Sequence, residues 1–330
     1  MQQPPSRRIE AIDLARGAAL VAMAIYHFAW DLEFFGYAEA GLTAHGGWKI
    51  FARSIASSFL FLAGVSLFLA HGEAFRRDAF LKRFVQVAGA AAAISAVTFV
   101  AVPNGFIFFG ILHQIALASL LGLAFLRLPW PATLAVAAVV VAAPHYLRAP
   151  FFDHPAWWWV GLSSVNPRSN DYVPLFPWFG AVLAGIAAAR LARGAGLLDR
   201  LARLPAGAWS RPLRFAGRHS LAVYLIHQPV LIACVWTFAQ FFPAPVETRE
   251  VRFMSSCERQ CAEIRDGAFC ARYCACMLDA IEGAGLADAV FAGQATAELQ
   301  TRLEDLAGMC TFDTDRGAPV PAPPAQGGSG

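Results

Sequence analysis

His27 and Asp31 stand one helical turn apart inside an apolar stretch, and Arg16 lies eleven residues before the histidine in the same stretch. Side chains four apart share a helix face, so the carboxylate can orient the imidazole and favour its charged form, as an acid/base pair requires. Eleven residues of helix cover about 16 Å at 1.5 Å per residue, which places Arg16 at one rim and His27 toward the opposite half. Ionisable groups inside apolar spans are costly and therefore informative. A plainer reading, a buried polar contact that holds helices together, stands beside the chemical one.

Other polar residues fall at a similar depth. His45 lies in the loop before the second apolar stretch, in His45-Gly-Gly-Trp48. His113 and Gln114 open the fourth stretch, Asp171 shortly precedes the sixth, and Tyr224, His227 and Gln228 lie in the seventh. Each histidine alone would more often be structural; the common depth is what favours a functional cluster. No set of histidines and acids has metal-ligand spacing within one element, so no metal is expected.

These groups need a scaffold, and composition says which kind. The 330 residues are 57% hydrophobic and 15% charged, against about 25% charged in average soluble domains. Seven apolar stretches, near 17–35, 50–71, 84–103, 107–126, 131–148, 174–191 and 219–242, meet the length of roughly 17–25 residues that a transmembrane helix needs. The fold class expected is all-α: a polytopic bundle over 1–242, a Cys-rich helical module over 243–316, and a Pro/Gly/Ala/Ser-rich disordered tail over 317–330. The N-terminus lacks a small-residue cleavage site, so the first span is expected to be retained.

Charge sets the orientation. Residues 246–330 hold 13 acids and 7 arginines, leaving 10 acids and 19 bases for the remainder. The bases gather in the N-terminal segment (Arg7, Arg8, Arg16), the second-to-third loop (Arg76, Arg77, Lys82, Arg83) and the sixth-to-seventh loop, which includes Arg214 and Arg218. With seven spans all three lie on one side, so the N-terminus is expected in the cytoplasm and the Cys-rich tail in the periplasm. No aromatic-interleaved basic stripe argues for nucleic acid. In the tail, Cys257-x3-Cys261 and Cys270-x3-Cys274 would share faces of two antiparallel helices, so two bridges could staple a hairpin, with Cys276 and Cys310 as a third pair. An oxidising periplasm favours bridges over a thiolate metal cluster or free thiols. Cys234, in the seventh span, is expected to be a small core residue.

The motifs Ile12-Asp-Leu-Ala-Arg16-Gly17, Tyr26-His27, Phe61-Leu-Ala-Gly64-Val-Ser66, Phe109-Gly-Ile-Leu-His113-Gln114, Tyr172-Val-Pro-Leu-Phe-Pro-Trp178-Phe-Gly180 and Gly217-Arg-His-Ser220-Leu-Ala-Val-Tyr224-Leu-Ile-His227-Gln-Pro229 occur together. In combination they resemble the bacterial branch of the heparan-α-glucosaminide N-acetyltransferase-like membrane proteins. The Arg16-x10-His27 element is similar, more distantly, to integral-membrane acyltransferase-3 proteins. The resemblance covers about residues 7–240 and implies transfer of an acetyl group from cytoplasmic acetyl-CoA to a sugar on the far side of the bilayer. It implies His45 as the catalytic histidine, by its His-x2-Trp context, while His27 stands where the lysosomal relatives carry an amide; either histidine is a candidate base.

On that implication the donor's phosphates would meet Arg16, Arg76, Arg77, Lys82, Arg83, Arg214 and Arg218. For any one arginine except Arg16, orientation alone is the readier explanation. Gln114, His113 or Tyr224 could donate to the thioester oxygen, with Asp171 and His227 as further substrate contacts. Two other functions fit the composition. One is a proton-coupled permease in which His27, Asp31 and His113 relay protons. The other is a membrane anchor for the Cys-rich module.

Overall fold

The computed structural model describes residues 9–39, 41–203, 207–244, 248–293 and 296–317. The expected disordered stretch beyond Gly317 lies outside the described residues. Helices account for the regular structure, and no strand occurs among the described residues. The chain divides into two compact units, one within Met1–Tyr26 and Ile50–Val230, the other within His27–Lys49 and Leu231–Gly330.

Among the described residues the first unit draws on α1 (Glu10–Phe34), α2 (Gly46–His71), α3 (Arg77–Ala101), α4 (Ile111–Gly122), α5 (Trp130–Tyr146), α6 (Leu175–Gly194), α7 (Leu197–Arg203), α8 (Arg211–Arg218) and α9 (Ser220–Phe241). Helices α1, α2, α3, α6 and α9 are long and apolar enough to cross a membrane. The other two expected spans are shorter than the sequence implied. With its 3₁₀ extension the fourth runs Ile111–Phe125, about 22 Å, and α5 reaches about 25 Å, against roughly 30 Å of hydrocarbon. The reason is local. Residues 106–110, apolar in sequence, are not helical, and this segment pairs with the loop before α6: Asn170 N–H donates to Gly105 O at 3.0 Å and Val173 N–H to Phe109 O at 3.0 Å.

Lipid gives apolar helices little hydrophobic reason to pair, so close backbone approach must do it. At the crossing of α2 and α6 a methyl group on Gly64 would lie 2.0 Å from Val182 O, and one on Gly185 2.1 Å from Phe61 O. Leu60, Leu183 and Ile186 fill the space beside this contact and are wholly buried. Glycines also let α1 meet α8, Gly17 against Leu213 and Gly217 against Asp13. Cys234 corrects the expectation of a core position. It is exposed, because α9 buries almost none of its length and leaves Ile226, Val230, Trp236 and Phe238 exposed as well.

The second unit carries α10 (Arg249–Cys261), α11 (Gly267–Gly283), α12 (Ala287–Phe291) and α13 (Ala297–Asp315). Three of these start on side-chain caps: Thr248 accepts from Val251 N–H, Asp266 from Phe269 N–H and Thr296 from Leu299 N–H. Disulfides Cys257–Cys274 and Cys261–Cys270 staple α10 to α11 as an antiparallel hairpin, and Cys276–Cys310 ties α11 to α13. The bridges join residues 17, 9 and 34 apart, loops of the length for which a bridge contributes about 2–4 kcal/mol. Phe269 and Tyr273 pack around the first pair of bridges, and Phe253, Met277 and Ile281 around the third. The same unit includes residues 27–49, so the α1–α2 loop and this module form one body.

Candidate active site

His45 sits in the α1–α2 loop, after a 3₁₀ turn at Leu42–Ala44 and directly before α2. Glu33, near the end of α1, ties the loop down. Its Oε1 accepts from Gly41 N–H at 2.5 Å, and its Oε2 from Thr43 N–H at 3.0 Å and Thr43 Oγ1–H at 2.7 Å. Gly41 turns the chain with φ +80°, and a methyl group added there would touch the Nε2 side of the His45 ring at 3.7–3.8 Å. On the other side of the ring, His45 Nδ1 lies 3.2 Å from Glu263 Oε1. An ionised carboxylate only accepts, so Nδ1 is the nitrogen that carries the proton and Nε2 of the neutral ring has the basic lone pair. Lys49 holds the Glu263 carboxyl below its ordinary value, and the hydrogen bonds from His45 and from Gly46 N–H act in the same direction against desolvation. Nearby, Arg259 of α10 pairs with Glu39 in the same loop.

His27 and Asp31 lie on α1 in the same unit. Asp31 has no exposed surface, and His27 is half-buried.

In the first unit, His113 is used up by structure. Its Nδ1 accepts from Gly110 N–H at 3.2 Å, which closes the N-terminus of α4, and its Nε2–H points at Ser95 Oγ at 3.2 Å. Ser95 Oγ in turn donates to Ile107 O. Asp171, in the loop before α6, accepts from Ile111 N–H at 2.9 Å; burial pushes its carboxyl up to about 6, with that hydrogen bond opposing. His227 Nδ1–H donates to Tyr224 O one turn back on α9, and the Tyr224 ring packs among the apolar side chains of α2, α3 and α4. Gln114 differs from all of these. It has no exposed surface, and neither its Nε2 nor its Oε1 has a hydrogen-bond partner among the described residues. An unpaired buried amide costs about 1–3 kcal/mol, so this side chain suits the polar group of a bound ligand.

The cationic rim is an ion-pair network as well as a charge patch. Arg214 contacts Glu10 at 2.6 Å, Arg218 contacts Asp13 at 3.5 Å and Glu10 at 3.8 Å, and Arg16 contacts Asp13 at 3.4 Å while donating to Ser66 Oγ. Among the described residues three guanidiniums face two carboxylates, a net-positive set that suits an anion. Arg76 donates Nε–H to Ala70 O, and Arg77, Lys82 and Arg83 are exposed.

Sequence reasoning missed Glu10 and Asp13 as arginine partners, although Asp13 and Arg16 carry the i, i+3 spacing of a helical ion pair. It also missed Glu33 and Glu263. Glu33 follows Asp31 by two residues and was not singled out, and Glu263 is 218 residues from its partner, a separation with no local signal.

No curated protein and no solved structure matches the chain. A family model does: the catalytic region of heparan-alpha-glucosaminide N-acetyltransferase, over residues 8–229. That span takes in α1 to α8 and reaches Pro229 in α9, including the His45 loop, the buried Gln114 and the arginine rim, and stops before the disulfide-stapled module. With two-thirds of its length matched, the chain belongs to the heparan-alpha-glucosaminide N-acetyltransferase family of membrane acetyltransferases.

Proposed function

We propose that the protein transfers an acetyl group from acetyl-CoA to an amine or hydroxyl of a cell-envelope sugar, with His45 as general base. The observation that carries this is the state of the His45 ring: its Nδ1 is committed to a carboxylate, which leaves Nε2 as the basic nitrogen. The acceptor's nitrogen or oxygen forms the new bond to the thioester carbonyl carbon as Nε2 takes its proton. The carbon–sulfur bond then breaks, and the CoA thiolate receives the proton back from the imidazolium. The donor's phosphates pair with the net-positive rim around Arg16, Arg214 and Arg218, aided by the exposed Arg76, Arg77, Lys82 and Arg83. The unpaired amide of Gln114 suits a carbonyl or amide of the pantetheine arm. His113 has both ring nitrogens engaged, so it supports α4 and is a weaker oxyanion donor than Gln114. The protein sits in the inner membrane with the arginine rim toward the cytoplasm and the His45 loop toward the periplasm.

The test is transfer from acetyl-CoA to glucosamine by purified protein, read by mass spectrometry of N-acetylglucosamine. His45→Ala should lower the rate by about 10²–10⁴-fold, the usual worth of general-base assistance, while insertion and thermal midpoint stay unchanged. Normal transfer by that variant would remove His45 from the reaction, and a loss confined to His27→Ala would assign the base to the residue on α1 instead.

A further inference from the structure

The family match ends at residue 229, yet the group bound to the candidate base comes from the module that follows it. Glu263 lies two residues past Cys261 at the end of α10, in the turn that leads to α11. That turn is fixed covalently and by hydrogen bonds. Cys261–Cys270 closes it, and Cys261 O accepts from both Ile264 N–H and Arg265 N–H at 2.9 Å. The module grips the His45 loop at a second point through Arg259 and Glu39. All of these residues belong to one compact unit.

We propose that Glu263 is a positioning residue for His45, and that the disulfide-stapled module serves the acetyltransferase by presenting this carboxylate to the imidazole. The inference rests on the reading of His45 as the base. A carboxylate on Nδ1 fixes the tautomer with Nε2 unprotonated, limits rotation of the ring and stabilises the imidazolium that forms during transfer. Lys49 and Gly46 N–H keep Glu263 ionised and therefore acceptor-only. The bridges make the position of Glu263 depend on oxidised cysteines, in keeping with an oxidising compartment for the module.

The experiment uses the full-length protein with acetyl-CoA and glucosamine, and in parallel measures carbethoxylation of His45 by diethyl pyrocarbonate through peptide mass spectrometry. The second readout reports the nucleophilicity of the ring and needs no acceptor. Glu263→Ala should lower kcat by about 10–100-fold with KM for both substrates unchanged, and should slow carbethoxylation of His45 several-fold at an unchanged thermal midpoint. Glu263→Asp should restore part of both. Cys261→Ser combined with Cys270→Ser should match Glu263→Ala. The inference is overturned if Glu263→Ala stays within twofold of wild type in both readouts. It is equally overturned if kcat falls only together with the thermal midpoint while carbethoxylation is unchanged, the signature of a structural role. If the wild type transfers nothing above the His45→Ala background, the acetyltransferase reading fails, and the carbethoxylation rates still decide whether Glu263 positions His45.

Discussion

Gln114 is wholly buried, and among the described residues neither end of its amide has a hydrogen-bond partner. Arg16, His27 and Asp31 stood out because charge inside an apolar run is expensive, and the fold keeps Asp31 wholly buried. Gln114 was visible only as one polar residue among several. What sets it apart, a buried amide with no partner among the described residues, is a property of its surroundings and needs the structure. The physical consequence separates stability from function. Exchanging Gln114 for methionine removes an unpaired amide at nearly constant volume, which should raise stability by about 1–3 kcal/mol. If the amide holds a carbonyl of the donor, the same exchange should raise KM for acetyl-CoA about tenfold or more. A thermal melt in detergent and a donor titration on one preparation check both halves. A lower melting point would show that the amide has a stabilising partner, and an unchanged KM would remove it from donor binding.

At the scale of elements, the length of the apolar runs located the seven apolar helices among the described residues, because a run of apolar residues in a membrane has helix as its main option. The ends were less legible. Residues 106–110 have the composition of a span but pair with the loop before α6, a tertiary contact that no local pattern announces. The hairpin of α10 and α11 was legible for the opposite reason, since cysteines four apart on two helices leave few geometries that close two bridges. The crossing of α2 and α6 yields a sharp prediction. A methyl at Gly64 would lie 2.0 Å from Val182 O, a backbone atom that cannot swing aside. Gly64→Ala should therefore force the helices apart and cost at least about 1–3 kcal/mol. Gly89→Ala, in α3 with nothing within 4 Å of the added methyl, should be neutral or gain up to about 1 kcal/mol from helix propensity. Thermal midpoints of the two variants, measured side by side, check the contrast; similar midpoints would mean the crossing is not tightly packed.

For the whole molecule, the proposed orientation turns on the pair α4 and α5, which are about 5–8 Å short of a typical hydrocarbon core. Orientation read from arginines depends on the parity of the span count, and this pair is adjacent. Five crossings or seven both leave the chain ends on opposite sides, and both leave the His45 loop on the side of the disulfide module, where their hydrogen bond requires it to be. The two cases differ only in where the turn between α4 and α5 lies. A bilayer thins locally around short helices at a fraction of a kcal/mol per Å, so full crossing is affordable, and Arg127 beside the turn favours the cytoplasmic side. Labelling with a membrane-impermeant maleimide in bacterial cells tests both levels. After mild reduction the tail cysteines should react in intact cells, whereas Asp78→Cys at the start of α3 should react only once the cells are permeabilised. Leu128→Cys should behave like Asp78→Cys. If Leu128→Cys reacts under neither condition, α4 and α5 form a re-entrant hairpin and the orientation stands, because removing two crossings preserves parity. If the tail reacts only after permeabilisation, the module lies in the reducing cytoplasm, and both the proposed orientation and the oxidised support for Glu263 fall together.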